Sequence, residues 1–377
     1  VKKLLQALVG IAISGGALWL TLRGRDLGAI WEAVKGANYL WMIPYAAILL
    51  LIHVVRTWRW GLLLEPVAKV PWGRLNAASA VGFMALMILP FRLGEFARPY
   101  LVAERPKLRV SATLSSVVVE RVADGIFTAG ILMLTLLSVP EGTSGLRYLR
   151  AGGLVVFLIF VGLLLFLVGA YRNRELAVRL AHRVVDPISP RAAARLSAMM
   201  DAFIHGLRLV PSRRKLALFF LLTTAYWGLN GWGMQVLARA FDIRVSLMGF
   251  YTVLGVLVVG VMIPAGPGMV GTFQAAVMLG LSLFVPKAVV DTRGAAYANV
   301  LWAAQLAVTT SLGMFFLFSR HIRLANVFSA PREVEEELEE EDGEYHPDGH
   351  AAEDHRDGRS GSHGPEPGGP AGQEGSR

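Results

Sequence analysis

The sequence predicts an all-α polytopic membrane protein: about six full transmembrane helices, two Pro/Gly-broken re-entrant hairpins and a disordered acidic C-terminal tail. Three observations predict it. Of 377 residues, 54% are hydrophobic and 17% charged, with a mean hydropathy of +0.50, leaving far more apolar surface than a water-soluble fold can bury. Apolar runs of helix length recur along the chain. The charge is also divided, because Pro331 to Arg377 holds fifteen acidic and four basic residues within a chain of net charge +9. The expected organisation is a membrane domain over 1–330 and a solvated tail over 331–377.

The first run, Leu4 to Leu22, has about 19 apolar residues, close to the roughly 20 that cross 30 Å of hydrocarbon. Lys2 and Lys3 precede it, Arg23 and Arg25 follow it, and no small-residue cleavage pattern appears, so a retained anchor is expected rather than a signal peptide. Further runs follow at Leu40 to Val55, Ala112 to Val139, Gly152 to Ala170, Leu216 to Ala238, Leu247 to Ile263, Met269 to Phe284 and Ala295 to Phe318. The VEEELEEED run of the tail, followed by Gly, Pro, His and Ser, has no apolar period, and its four histidines are irregularly spaced; disorder without metal binding is expected.

Orientation follows from Lys and Arg. The connector Tyr171 to Lys215 carries ten basic and three acidic residues and is expected in the cytoplasm, as are Arg56 to Arg74 and the C-terminal end. The protein is expected in the plasma membrane, with connector 171–215 and the tail cytoplasmic. Leu196, Met199, Met200, Phe203 and Leu207 recur at helical spacing among arginines, as in an interfacial helix or a soluble helical hairpin.

Two segments break the pattern. GFMALMILPFRLGEFARPYLVA, Gly82 to Ala103, sets Arg92, Glu95 and Arg98 beside Pro90, Gly94 and Pro99. An ionisable group at the bilayer centre costs about 2.5–3.5 kcal/mol on insertion scales, so charges next to helix breakers point to a buried polar site. The second, MIPAGPGMVGTF, carries Pro264, Gly266, Pro267, Gly268 and Gly271. Pro90 and Gly94 align with Pro264 and Gly268 at a common offset of 174 residues, and parity makes the two hairpins enter from opposite sides. An inverted repeat is the expectation, its breaks meeting near the midplane with glycines that let the backbone approach a substrate.

A second charged cluster, Glu120, Arg121 and Asp124 in VVVERVADGIF, lies near the middle of a membrane run. Glu120 and Asp124 are four apart and share a helix face, and Arg121 reaches Asp124 at three apart. The trio locks helices together or, functionally, neutralises Arg92 and Arg98 while no ligand is bound. Proton coupling through Glu95 or Glu120 is a further expectation.

Catalytic signatures are absent. The chain has no cysteine, no GxSxG elbow and no P-loop, the membrane domain has no HxxxH or other metal-ligand cluster, and His53 reads as a packing residue. No enzyme activity, cofactor, metal or nucleic acid is expected. A homo-oligomer and a partner lipid-modifying enzyme both stay open.

PFRLGEFARPYLV, VVVERVADGIF and IPAGPGMVGTFQAA, in this order, resemble the lysylphosphatidylglycerol synthase transmembrane region, or flippase-like domain family, over about residues 1–325. The resemblance implies a membrane domain that moves lipid, as the membrane half of the multiple peptide resistance factor is thought to move aminoacylated phosphatidylglycerol. It implies that Arg92, Glu95, Arg98, Glu120, Arg121, Asp124, Gly266, Gly268, Gly271 and Gln274 contact substrate, with Pro90, Gly94, Pro264 and Pro267 as helix breaks. Relatives often carry a glutamate where this chain has Gln274. No soluble region large enough for the aminoacyl-transferase domain is present, so a stand-alone flippase or scramblase is expected rather than a synthase. Its lipid would be an anionic phospholipid or a polyprenyl-phosphate-linked lipid. The alternatives are an enzyme or accessory subunit acting on lipid-linked sugar or phosphate, with Glu95 or Asp124 as base, and a membrane scaffold.

Overall fold

A computed structural model describes residues 12–19, 21–66, 69–89, 94–103, 110–137, 139, 141, 145–172, 179, 183, 212–262 and 266–319. Among these no strand occurs. The helices are α1 (Leu27–Lys35), α2 (Met42–Leu64), α3 (Trp72–Ile88), α4 (Ala97–Ala103), α5 (Val110–Leu136), α6 (Leu146–Arg172), α7 (Arg213–Ala238), α8 (Leu247–Val261), α9 (Thr272–Leu281) and α10 (Ala295–Ser319). Residues 12–19 form a further helix ahead of α1.

Tyr39–Leu64, Leu146–Phe166 and Lys287–Ser319 are long and apolar enough to cross a membrane. Helix α5 has 27 residues, about 40 Å at 1.5 Å per residue, but carries three charges in its middle. Helix α6 turns Leu158, Ile159 and Leu165 outward, each more than half exposed, as lipid permits and water does not.

The order of the chain fixes two ends. At one, Asn38 donates to the Ala240 carbonyl (2.9 Å) and Arg25 pairs with Asp291 (2.9 Å). At the other, Lys215 pairs with Glu65 (2.7 Å). Helix α3 leaves from the Glu65 end, and α4 returns to it, since Arg74 at the start of α3 donates to the Val102 carbonyl. Helix α8 leaves from the Asp291 end, and the chain after α9 comes back to it, Phe284 lying beside Gly249. Both broken segments are therefore re-entrant and enter from opposite ends. Their tips touch, because a Cβ on Gly268 would lie 3.6 Å from the Met87 carbonyl oxygen. That is the inverted arrangement the sequence predicts.

Gly94 shows how tightly the first hairpin folds. A Cβ there would lie 2.1 Å from the Leu86 nitrogen and 2.2 Å from the Ala85 carbonyl carbon, backbone atoms that cannot rotate away. Gly94→Ala is expected to destabilise the purified protein by about 1–3 kcal/mol or more, the cost of overpacking, read as a lower melting temperature. A wild-type melting temperature would contradict this packing.

One boundary is corrected. The run expected to end at Val55, with Arg56 to Arg74 in the cytoplasm, continues as α2 to Leu64. Arg56 and Arg59, read as flanking charges, lie inside the helix, where Arg59 pairs with carboxylates of another helix and Arg56 bonds to His53 of its own. The expected first span survives as residues 12–19 with Thr21 and Leu22, its earlier part lying outside the described residues. The interfacial reading of connector 171–215 and the tail lie outside them too, apart from Tyr171, Arg172, Arg179, Arg183 and residues 212–215.

Candidate functional site

The charged centre is built on four helices. Arg59 of α2 is fully buried, and its guanidinium forks between two carboxylates of α5. Nη2 donates to Glu120 Oε1 (2.7 Å) and Asp124 Oδ2 (3.0 Å), while Nη1 contacts Asp124 Oδ1. Arg98 of α4 donates to Glu120 Oε2 (3.0 Å), and Arg121 lies 3.4 Å from both Glu120 and Asp124. Trp227 Nε1 of α7 donates to Asp124 Oδ1 (3.1 Å). Each oxygen of the two acids is therefore engaged, as buried charge requires.

Aromatic rings line the arginines. Tyr226 lies 4.6 Å below the Arg59 guanidinium. Phe83 stands between two cations, with Arg56 Cζ 3.5 Å and Arg98 Cζ 4.6 Å from its centroid. Gly82 makes room for Arg98, since a Cβ there would come within 2.1 Å of its Cγ. The glycine before Phe83 is thus a packing requirement.

Beside this centre lies a cavity of about 390 Å³. Arg56, Glu95, Arg121 and Asp124 form its charged part, and His53, Thr128, Asn230, Gln305 and Thr309 add polar groups. Leu86 and Met87 before the first break, and Met262 and Met269 around the second, also border it, so both tips face one space. Arg56 is unlike the other arginines. Nη2 donates to His53 Nδ1 (3.1 Å), and among the described residues it forms no ion pair, whereas Arg59, Arg98 and Arg121 each do. Because arginine only donates, His53 Nδ1 must accept, and Nε2 then carries the proton given to Asn76 Oδ1 (2.6 Å). A neutral His53 therefore orients a cation at the cavity wall, a role beyond the packing expected of it.

Four guanidinium groups, on Arg56, Arg59, Arg98 and Arg121, face three carboxylates, on Glu95, Glu120 and Asp124, which leaves one positive charge over among the described residues. Such a cavity is suited to one anion.

The predicted site residues divide into groups. Glu95, Arg121 and Asp124 line the cavity, while Arg98 and Glu120 lie buried behind it. Arg92, Pro90 and Pro264 lie outside the described residues. Gly266, Gly268, Gly271 and Gln274 are not among the lining residues and have other tasks. The Gly266 N–H donates to Ser14 Oγ (2.8 Å), and a Cβ on Gly271 would meet the Ser14 carbonyl oxygen at 2.5 Å, so both glycines lie against the first helix. Gly268 takes φ +68°, and its carbonyl accepts from Trp302 Nε1 (2.7 Å) beside Pro267. Gln274 Oε1 accepts from the Gly271 N–H (2.7 Å), closing the first turn of α9. Sequence reasoning missed Arg56 and Arg59, although His53, Arg56 and Arg59 at spacings of three share one face of α2.

Fold and centre define a polytopic α-helical membrane protein with an internal cationic cavity. The chain belongs to the family described as the lysylphosphatidylglycerol synthase TM region, whose model matches residues 7–313. That family is a membrane domain linked to lipid. The comparison with curated proteins gave no match.

Proposed function

We propose that the protein moves a phosphate-headed membrane lipid between leaflets, without changing it chemically. Arg56 carries this reading. It is a cavity-wall guanidinium with no carboxylate partner among the described residues, and an arriving phosphate would form charge-assisted hydrogen bonds with it. Arg121, 30% exposed and only loosely paired at 3.4 Å, is the second contact. The headgroup would occupy the space where the re-entrant tips meet, while its acyl chains stay in lipid.

The described centre gives little support to an enzyme. Asp124, one candidate base, accepts from Arg59 and Trp227 and lies against Arg121, so its oxygens are occupied. In this reading the protein sits in the plasma membrane with connector and tail in the cytoplasm, and its lipid is an anionic phospholipid or a polyprenyl-phosphate-linked lipid.

The test pairs two readouts on reconstituted protein. Leaflet accessibility of phosphatidylglycerol is expected to change while the lipid mass spectrum does not. A new lipid species would favour the enzyme, and no change in either would favour the scaffold.

A further inference from the structure

The α8–α9 hairpin has a second cavity on its opposite face. Leu254, Leu257, Val258 and Val261 of α8 face the charged cavity, whereas Val256, Val259 and Gly260 line a separate one of about 610 Å³. These two sets fall on different sides of a helix with 3.6 residues per turn. The other walls come from residues 12–17, α5, α6 and α9.

The lining is apolar but for Thr272, whose hydroxyl donates to the Met269 carbonyl (2.9 Å), and the exposed Tyr148. A polar ligand would lose its hydration there without replacement. Glycines ordinarily bring membrane helices together. Gly153 and Gly260 do so here, but a Cβ on Gly16 or Gly152 would meet nothing within 4 Å. A void of this size forfeits dispersion contacts on all its walls, and in a membrane the species at hand to restore them is hydrocarbon. Its volume falls within the range of about 300–1,000 Å³ for small-molecule sites.

We propose that this cleft binds one hydrocarbon chain of a membrane lipid. The site stands whether or not the protein moves lipid, since none of its lining residues belongs to the charged centre.

The full chain, purified in detergent micelles, is photolysed with a phosphatidylglycerol that carries a diazirine at the end of one acyl chain, at a sub-saturating ratio, and labelled residues are located by mass spectrometry. Label is expected to concentrate several-fold at Gly152, Leu149 and Ala275 over the outward Leu158 and Leu165 of α6. Gly152→Phe, which fills the cleft from one wall, is expected to abolish that excess, and Gly16→Phe fills it from the other should the first variant fail to fold. Even labelling of cleft and outer face, or an excess that survives in a folded cleft-filling variant, would overturn the site. Labelling is scored without reference to lipid exchange, so a protein that exchanges nothing can still support the inference.

Discussion

Arg59→Leu is expected to unfold the protein or prevent its accumulation. The substitution removes the cation that bridges Glu120 and Asp124 at 2.7 and 3.0 Å in a site with no exposed surface on Arg59. Removing one partner of a buried pair costs about 3–5 kcal/mol, and here Glu120 and Asp124 lose their closest guanidinium contacts where no water replaces them. Arg121 and Arg98 remain, but their contacts with the acids are already made. Arg59→Lys is expected to recover only part of the loss, since a point charge cannot fork across two carboxylates. Thermal unfolding in detergent checks this. An Arg59→Leu protein that melts with the wild type would show that the network does not hold the helices together.

Arg56→Gln is expected to fold and to fail in transport. No carboxylate among the described residues depends on Arg56, so its loss strands no opposite charge. A hydrogen bond to a charged group contributes about 1.5–3 kcal/mol, so exchange of an anionic lipid should fall roughly 10- to 150-fold. The melting temperature serves as the control. The two arginines are three residues apart on one helix, and opposite outcomes are expected because one is paired and the other is not.

This contrast also marks how far the sequence could be read. Re-entrant hairpins were legible because Pro90, Gly94, Pro264 and Gly268 interrupt apolar runs too short to cross twice. The trio on α5 was legible because charge within a membrane helix is costly. Arg56 and Arg59 were not, because Arg and Trp at the end of an apolar run are also what a membrane interface selects. The burial of Arg59 depends on Glu120 and Asp124, more than sixty residues away, and no local pattern reports that pairing. Of the glycines of the second break, assigned to a ligand, Gly271 closely approaches the first helix and Gly268 approaches Trp302 and Met87. A glycine shows that something comes near the backbone, not what it is.

Protein in liposomes with fluorescent phosphatidylglycerol or phosphatidylcholine, read by dithionite quenching with Arg56→Gln alongside, tests lipid movement most directly. Fast exchange of phosphatidylglycerol, slower exchange of phosphatidylcholine and loss of both in folded Arg56→Gln is the predicted result. Wild-type protein that moves neither lipid, or folded Arg56→Gln that exchanges phosphatidylglycerol at the wild-type rate, would contradict the account.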